Sequence, residues 1–189
     1  MHGNDFWGPH VWRMIHVSAM NYTITKKHSF VAFIYTLVEL LPCHQCREHL
    51  AQNLLDFPLT QEALSSRESL FLWTYQLHDI VNRQLGKQSP PYSTVWNTYL
   101  QYFNKNHFWG PSYWISIHSF AAVYEPSSHA AMKRFLYILS ALIPCEYCSH
   151  HFSQLIQEFP LTINYLENKE TVLLWTYIIH DKINKKIGN

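Results

Sequence analysis

Long apolar runs are missing from this 189-residue chain. No stretch approaches the roughly 18–20 residues that a bilayer-crossing helix needs, which excludes a membrane span. Charge is also scarce, at 14% of residues against 16% aromatic, and this excludes a disordered, self-repelling chain. The 14 basic and 13 acidic side chains form no long run of either sign and leave a net charge of +1. A nucleic-acid groove and a polybasic membrane anchor are thereby disfavoured. The first residues, Met1-His2-Gly3-Asn4-Asp5-Phe6, lack the basic and apolar regions of a secretory signal. The expectation is a soluble protein kept in the cytosol. Cysteines are few, and all four sit in two C-x-x-C pairs, Cys43/Cys46 and Cys145/Cys148. A secreted scaffold would spread its cysteines to staple distant loops; paired cysteines in a cytosolic setting point to redox chemistry or metal binding.

What is present is a duplication. Trp7-Gly8-Pro9 returns as Trp109-Gly110-Pro111, Trp73-Thr74-Tyr75 as Trp175-Thr176-Tyr177, and His78-Asp79 as His180-Asp181, each 102 residues later. Residues 6–86 align with 108–188 without a gap, with 32 identities in 81 positions. So long a period marks duplicated domains, not a solenoid, whose repeats run to about 20–50 residues. The division expected is 1–103 and 108–189.

Periodicity is helical almost throughout. In copy one it predicts helices over 10–22, 29–41, 43–56 and 67–85, with Thr60 as an N-cap and Gly86 as a terminator. Copy two repeats the scheme with Thr162 and Gly188. The fold class expected is all-α: tandem four-helix bundles. Val95, Trp96, Tyr99, Leu100 and Phe103 predict a shorter fifth helix over 92–103, packed on the first bundle and followed by a polar linker at 104–107. Copy two stops at Asn189 without a counterpart.

Three constellations carry chemistry. A C-x-x-C at the start of a helix puts two thiols one turn apart, where the helix N-terminus stabilises a thiolate. Pro42 and Pro144 fix the entry to each. Zinc bound by four thiolates is the competing reading, disfavoured by the 102-residue separation. Trp12-x-x-x-His16, repeated as Trp114-x-x-x-His118, sets an indole and an imidazole on one helix face. His78-x-x-x-Asn82 recurs as His180-x-x-x-Asn184 on the long helix. Aromatic surfaces beside hydrogen-bonding groups and a C-x-x-C suit a flat redox cofactor, which spacing alone does not name. A non-enzymatic helical interaction module is the alternative from another class.

In copy one, W-G-P-x-x-W-x-x-x-H, L-P-C-x-x-C and H-D-x-V-N-x-x-L-G-K stand in order and resemble the Erv/Alr family of FAD-dependent sulfhydryl oxidases. The resemblance covers essentially the whole chain. It implies a helical bundle holding FAD, with the C-x-x-C disulfide against the flavin. Cys46 would lie nearer the flavin and Cys43 would exchange with substrate; Cys145 and Cys148 are the matching catalytic pair. Trp12 and His16 would pack around the adenine end, His78 and Asn82 would hold the cofactor, and Lys87 and Tyr99 would close the site. The resemblance adds Gly8, Tyr22, Asp79 and Val81 to the FAD set, and in copy two Trp114, His118, Tyr124, Cys148, His180, Asp181 and Asn184.

It further implies electrons passing to O2 to give H2O2, and no metal. The implied substrate is a protein dithiol, a small thioredoxin-like or C-x-x-C protein. Family dimers join through their first two helices, so two copies in one chain imply an intramolecular pseudo-dimer, open to further homo-oligomerisation. Asp79 and Asp181 depart from the family, which commonly has Asn there. The shuttle cysteines of cellular members are absent as well, which resembles the compact oxidases of large DNA viruses that act in the cytosol.

Overall fold

The computed structural model describes residues 4–187. Copy one is built from α1 (Asn4–Met20), α2 (Lys27–Leu40), α3 (His44–Asp56) and α4 (Arg67–Gln84), with α5 (Tyr92–Tyr102) after them. Copy two follows as α6 (Asn106–Ala122), α7 (His129–Leu142), α8 (Glu146–Glu158) and α9 (Lys169–Ile187). There is no strand among the described residues. No helix there is long and apolar enough to cross a membrane.

Within each copy the first helix packs on the fourth and the second on the third. The α5 helix lies over α1 and α4, as its apolar spacing predicts. Its Trp96 meets Phe71 edge-on at 5.2 Å between ring centroids, and Tyr92 meets Tyr75 at 5.3 Å.

The copies face each other through equivalent helices, α1 against α6 and α2 against α7. Phe33 stacks with Phe135 at 6.4 Å, and His10 Nδ1 lies 3.0 Å from Ser112 Oγ. Both pairs join a position to its own counterpart 102 residues on, which is what an isologous, near-twofold interface requires. The apolar core runs through this junction without interruption.

Several local expectations needed revision. The first helix begins at Asn4 and ends at Met20, so Trp7-Gly8-Pro9 lies inside it, and α6 likewise encloses Pro111. Gly-Pro reads as a breaker, but each proline is the sixth residue of a helix that continues through it, at the cost of the bond an N–H there would make to the fourth residue back, Asp5 or His107. Thr60 Oγ1 accepts the Ala63 N–H at 3.2 Å, ahead of a 3₁₀ turn over Ala63–Ser65 whose N-cap position is Glu62. The cap of α4 is Ser66, whose Oγ accepts the Ser69 N–H at 3.0 Å. Thr162 precedes another 3₁₀ turn without capping it, and Asn168 Oδ1 accepts the Thr171 N–H at 3.0 Å. The 104–107 linker is shorter than expected, because α6 starts at Asn106.

Gly86 does terminate α4. Its φ of 67° is the left-handed value glycine tolerates best. Lys87 N–H reaches Asn82 O at 2.8 Å and Gly86 N–H reaches Arg83 O at 3.1 Å, the paired bonds of a Schellman cap. Gly188 lies outside the described residues.

Candidate active site

Each cysteine pair is closed as a disulfide at the start of a helix, Cys43–Cys46 on α3 and Cys145–Cys148 on α8. The first cysteine is the N-cap. Cys43 Sγ accepts the Cys46 N–H at 3.2 Å, and Cys145 Sγ accepts the Cys148 N–H at 3.1 Å. Negative charge that develops on this sulfur when the disulfide opens therefore meets a backbone donor and the positive helix end.

Beside each disulfide lies a cavity, about 450 Å³ in copy one and about 680 Å³ in copy two. Cys46 and Cys148 form part of their walls, while Cys43 and Cys145 do not. Among the expected residues, Gly8, Trp12, His78, Val81, Asn82, Lys87 and Tyr99 line the first cavity. Trp114, His118, Cys148, His180 and Asn184 line the second. The structure thus gathers residues from the first and fourth helices of each copy around one sulfur of the third, with Tyr99 of α5 added in copy one.

Trp12 does not pair first with His16. It stacks on His78, with ring centroids 4.0 Å apart and planes 7° off parallel. Trp114 and His180 repeat this at 4.0 Å and 8°. Behind the stack runs a buried relay. Thr74 Oγ1 donates to Phe71 O at 2.8 Å, so it accepts from His16 Nδ1 at 3.0 Å. That leaves His16 Nε2 as an acceptor for His78 Nδ1–H at 3.1 Å. The tautomers are thereby set, and the other nitrogen of His78 is an acceptor on a residue lining the cavity. Copy two has the same chain: Thr176 Oγ1 to Leu173 O at 2.8 Å, His118 Nδ1 to Thr176 at 3.0 Å, and His118 Nε2 to His180 Nδ1 at 3.0 Å.

Burial keeps these imidazoles neutral. It holds His16 well below the ordinary histidine range, with His78 adding to the push. Burial lowers His78 to about 4, Asp79 pulling it back up and Lys87 pushing it down. His118 and His180 are lowered in the same way. Tyr99, from α5, sets its ring edge on His16 at 5.2 Å, and burial raises its phenol to about 12.

Other expected residues stand away from the cavities. Tyr22, 5% exposed, donates to Leu64 O at 2.8 Å, and Tyr124 donates to Leu166 O at 2.9 Å. Both tie a loop to the bundle. Asp79 pairs with Arg83 at 3.1 Å and Asp181 with Lys185 at 2.7 Å, one turn along the same helix. Lys87, by contrast, lines the first cavity, and its Nζ lies 3.7 Å from Asp5 in the same wall.

Thr74 and Thr176 join the site without being among the expected residues, although both stand in the repeated W-T-Y. So do Trp7 with Trp109 and His49 with His151, which line the cavities at matching positions. All recur in both copies, and that recurrence was the available signal.

The model described as the Erv1 / Alr family matches residues 9–101 and 111–189. The chain belongs to this family. Its Erv1/Alr relatives include a probable FAD-linked sulfhydryl oxidase of Acanthamoeba polyphaga mimivirus, 38% identical over 90 residues, or 46% of this chain and 63% of that protein. An FAD-linked sulfhydryl oxidase of African swine fever virus is 34% identical over 99 residues, covering 50% of this chain and 81% of that protein. The mitochondrial FAD-linked sulfhydryl oxidase of Saccharomyces cerevisiae is 35% identical over 82 residues, covering 41% of this chain and 42% of that protein. Each match has the length of one copy, so this Erv1/Alr chain carries the family unit twice. No solved structure matches it.

Proposed function

We propose that this chain is an FAD-dependent thiol oxidase that forms disulfides in a protein substrate. The observation that carries the proposal is the position of Cys46 and Cys148. Each is the one sulfur of its disulfide that walls a cavity whose lining includes a Trp–His stack, apolar side chains and an asparagine of the fourth helix. Two further features fit a flat, polar-edged group there. A Cβ added to Gly8 or Gly110 would meet no protein atom within 4 Å, so packing does not demand glycine, and the space serves whatever fills the cavity. In copy two the buried Trp109 indole N–H, on a cavity-lining residue, has no partner in the protein.

The residues that would hold the cofactor in copy one are Gly8, Trp12, His78, Val81, Asn82, Lys87 and Tyr99, with His16 fixing the tautomer of His78 from behind. In copy two they are Trp114, His118, His180 and Asn184. Tyr22, Tyr124, Asp79 and Asp181 support these helices from outside the cavity.

A substrate thiolate attacks Cys43 Sγ, forming a mixed disulfide and releasing Cys46. The second substrate thiol then attacks the mixed disulfide, leaving an oxidised substrate and a reduced Cys43/Cys46 pair. Backbone N–H groups at the start of α3 stabilise the thiolates so formed. The flavin, when bound, supplies a two-electron acceptor that can be reoxidised by O2, and the sum is two thiols plus O2 giving one disulfide plus H2O2. Cys145 and Cys148 act likewise.

The two domains are residues 1–103 and 108–189, packed as a pseudo-dimer. With no cysteines outside the two pairs, Cys43 and Cys145 meet the partner directly, and a small thioredoxin-like or C-x-x-C protein has the reach to do so. The cytosol is the compartment this cysteine usage favours. The test is Cys46→Ser in a Cys145→Ser chain: thiol-dependent O2 uptake is expected to vanish, and uptake at the unsubstituted rate refutes the scheme.

A further inference from the structure

The two copies do not hold their disulfides in the same way. Each C-x-x-C follows the end of the second helix of its copy, where the last carbonyls lack intrahelical donors and the proline supplies no N–H. In copy one, Leu41 O is bonded from within the copy by Arg47 Nη1 at 3.0 Å. In copy two the residue matching Arg47 is Ser149, whose Oγ donates to Ser140 O at 2.6 Å. Leu142 O and Ile143 O are met instead from the other copy, by Nδ2 of Asn21, the residue that follows α1, at 3.3 Å and 3.1 Å. Both acceptors are carbonyls, so only the amide nitrogen of Asn21 can face them. A second link runs beside it. Tyr113 OH donates to Leu142 O at 3.3 Å and accepts from Ser18 Oγ, in the last turn of α1, at 2.9 Å.

The mirror contact does not exist. Copy two has Val123 where copy one has Asn21, and the junction there is a cavity of about 260 Å³ lined by Leu40, Arg47 and Val123 among others. We infer that Asn21 is a positioning residue for the Cys145–Cys148 redox centre, acting across the pseudo-dimer interface on the backbone that leads into Cys145. The contact between the copies is therefore one-sided. Asn21, at the end of copy one's first helix, braces the backbone ahead of copy two's disulfide, while the matching backbone of copy one is held by Arg47.

Loosening that backbone lowers the effective concentration of the two thiols for each other, so the disulfide becomes easier to reduce. The test equilibrates the full chain anaerobically with mixtures of reduced and oxidised glutathione. In this equilibrium two glutathione thiols and one protein disulfide exchange with one glutathione disulfide and one protein dithiol. Alkylation before and after reduction, read by mass spectrometry, reports each cysteine pair separately. Asn21→Val installs the residue native to position 123, and Asn21→Asp keeps the shape but removes the donor. Either variant is expected to make Cys145–Cys148 about fivefold easier to reduce, the equivalent of one ordinary hydrogen bond, and to leave Cys43–Cys46 unchanged. Arg47→Ala is expected to shift Cys43–Cys46 alone. An unchanged Cys145–Cys148 equilibrium in both Asn21 variants, or equal shifts in both pairs, overturns the inference. It rests on the oxidase reading only in treating the pair as a redox centre. Because the glutathione equilibrium uses neither flavin nor oxygen, failure of that reading shows separately, as missing O2 uptake.

Discussion

Thr74→Val isolates the relay that sets the polarity of the cavity wall. The substitution keeps the shape of a fully buried residue and removes the hydroxyl that accepts from His16 Nδ1 at 3.0 Å. Two responses are open to the protein. His16 can keep its tautomer, leaving a buried N–H without a partner. Alternatively its proton moves to Nε2, His78 must then accept at Nδ1, and its cavity-side nitrogen turns from acceptor to donor. Either response removes the buried His16–Thr74 bond from the fold, and the second also reverses the hydrogen-bonding sense that His78 presents to a bound cofactor. The cost is about 1–3 kcal/mol, roughly fivefold to 150-fold in an equilibrium constant. Thermal unfolding without added flavin and equilibrium dialysis against FAD distinguish the responses. Thr176→Val does the same in copy two, and Thr74→Ser, which retains the hydroxyl, should restore both readings. A Thr74→Val chain that unfolds at the original temperature and binds FAD with the original affinity refutes the relay.

Acid should destabilise the fold over a defined window. His78 has a folded-state pKa of about 4, below its ordinary value of 6.5, so the unfolded chain binds more protons between those limits. Stability then falls as pH drops from 6.5 towards 4, and the other lowered imidazoles act in the same direction; a thermal midpoint flat across this range contradicts the burial argument. Gly8→Ala should stabilise the flavin-free protein by about 0.5–1 kcal/mol, the helix penalty of glycine, and Gly110→Ala should act likewise. Each should also weaken FAD binding in its own copy, and a variant that gains stability with FAD affinity intact contradicts the role given to these glycines. Tyr22→Phe should cost about 1 kcal/mol of unfolding free energy through the lost bond to Leu64 O, and leave FAD content as it was. A loss of flavin there would return Tyr22 to the cofactor wall.

Much of this was legible in the chain because duplication filtered it. Trp12, His78, Asn82 and Cys46 recur at a fixed offset, and the structure brings them to one cavity in each copy. What the spacing could not give is which ring meets which across helices. Trp12 and His16 share a face at i, i+4, yet the closer parallel stack is Trp12 on His78, decided by how α1 packs on α4. Tyr22 recurs as faithfully as Trp12, but for a loop tie and not for the cavity, and recurrence does not separate those causes. Thr74 was visible in the repeated W-T-Y and carries no sequence mark of its bond to His16. Phe33 against Phe135 belongs to the inter-copy packing, and the Asn21 contact to carbonyls 121 and 122 residues away has no counterpart to betray it.

The central claim is that electrons from a dithiol cross these disulfides to a bound flavin. Anaerobic titration of the purified full chain with dithiothreitol, followed in the visible spectrum, measures this directly. The account predicts flavin bands that bleach as dithiol is added and return when O2 is admitted, with H2O2 formed. A protein carrying no flavin, or one whose flavin bands stay unbleached under excess dithiol, contradicts it.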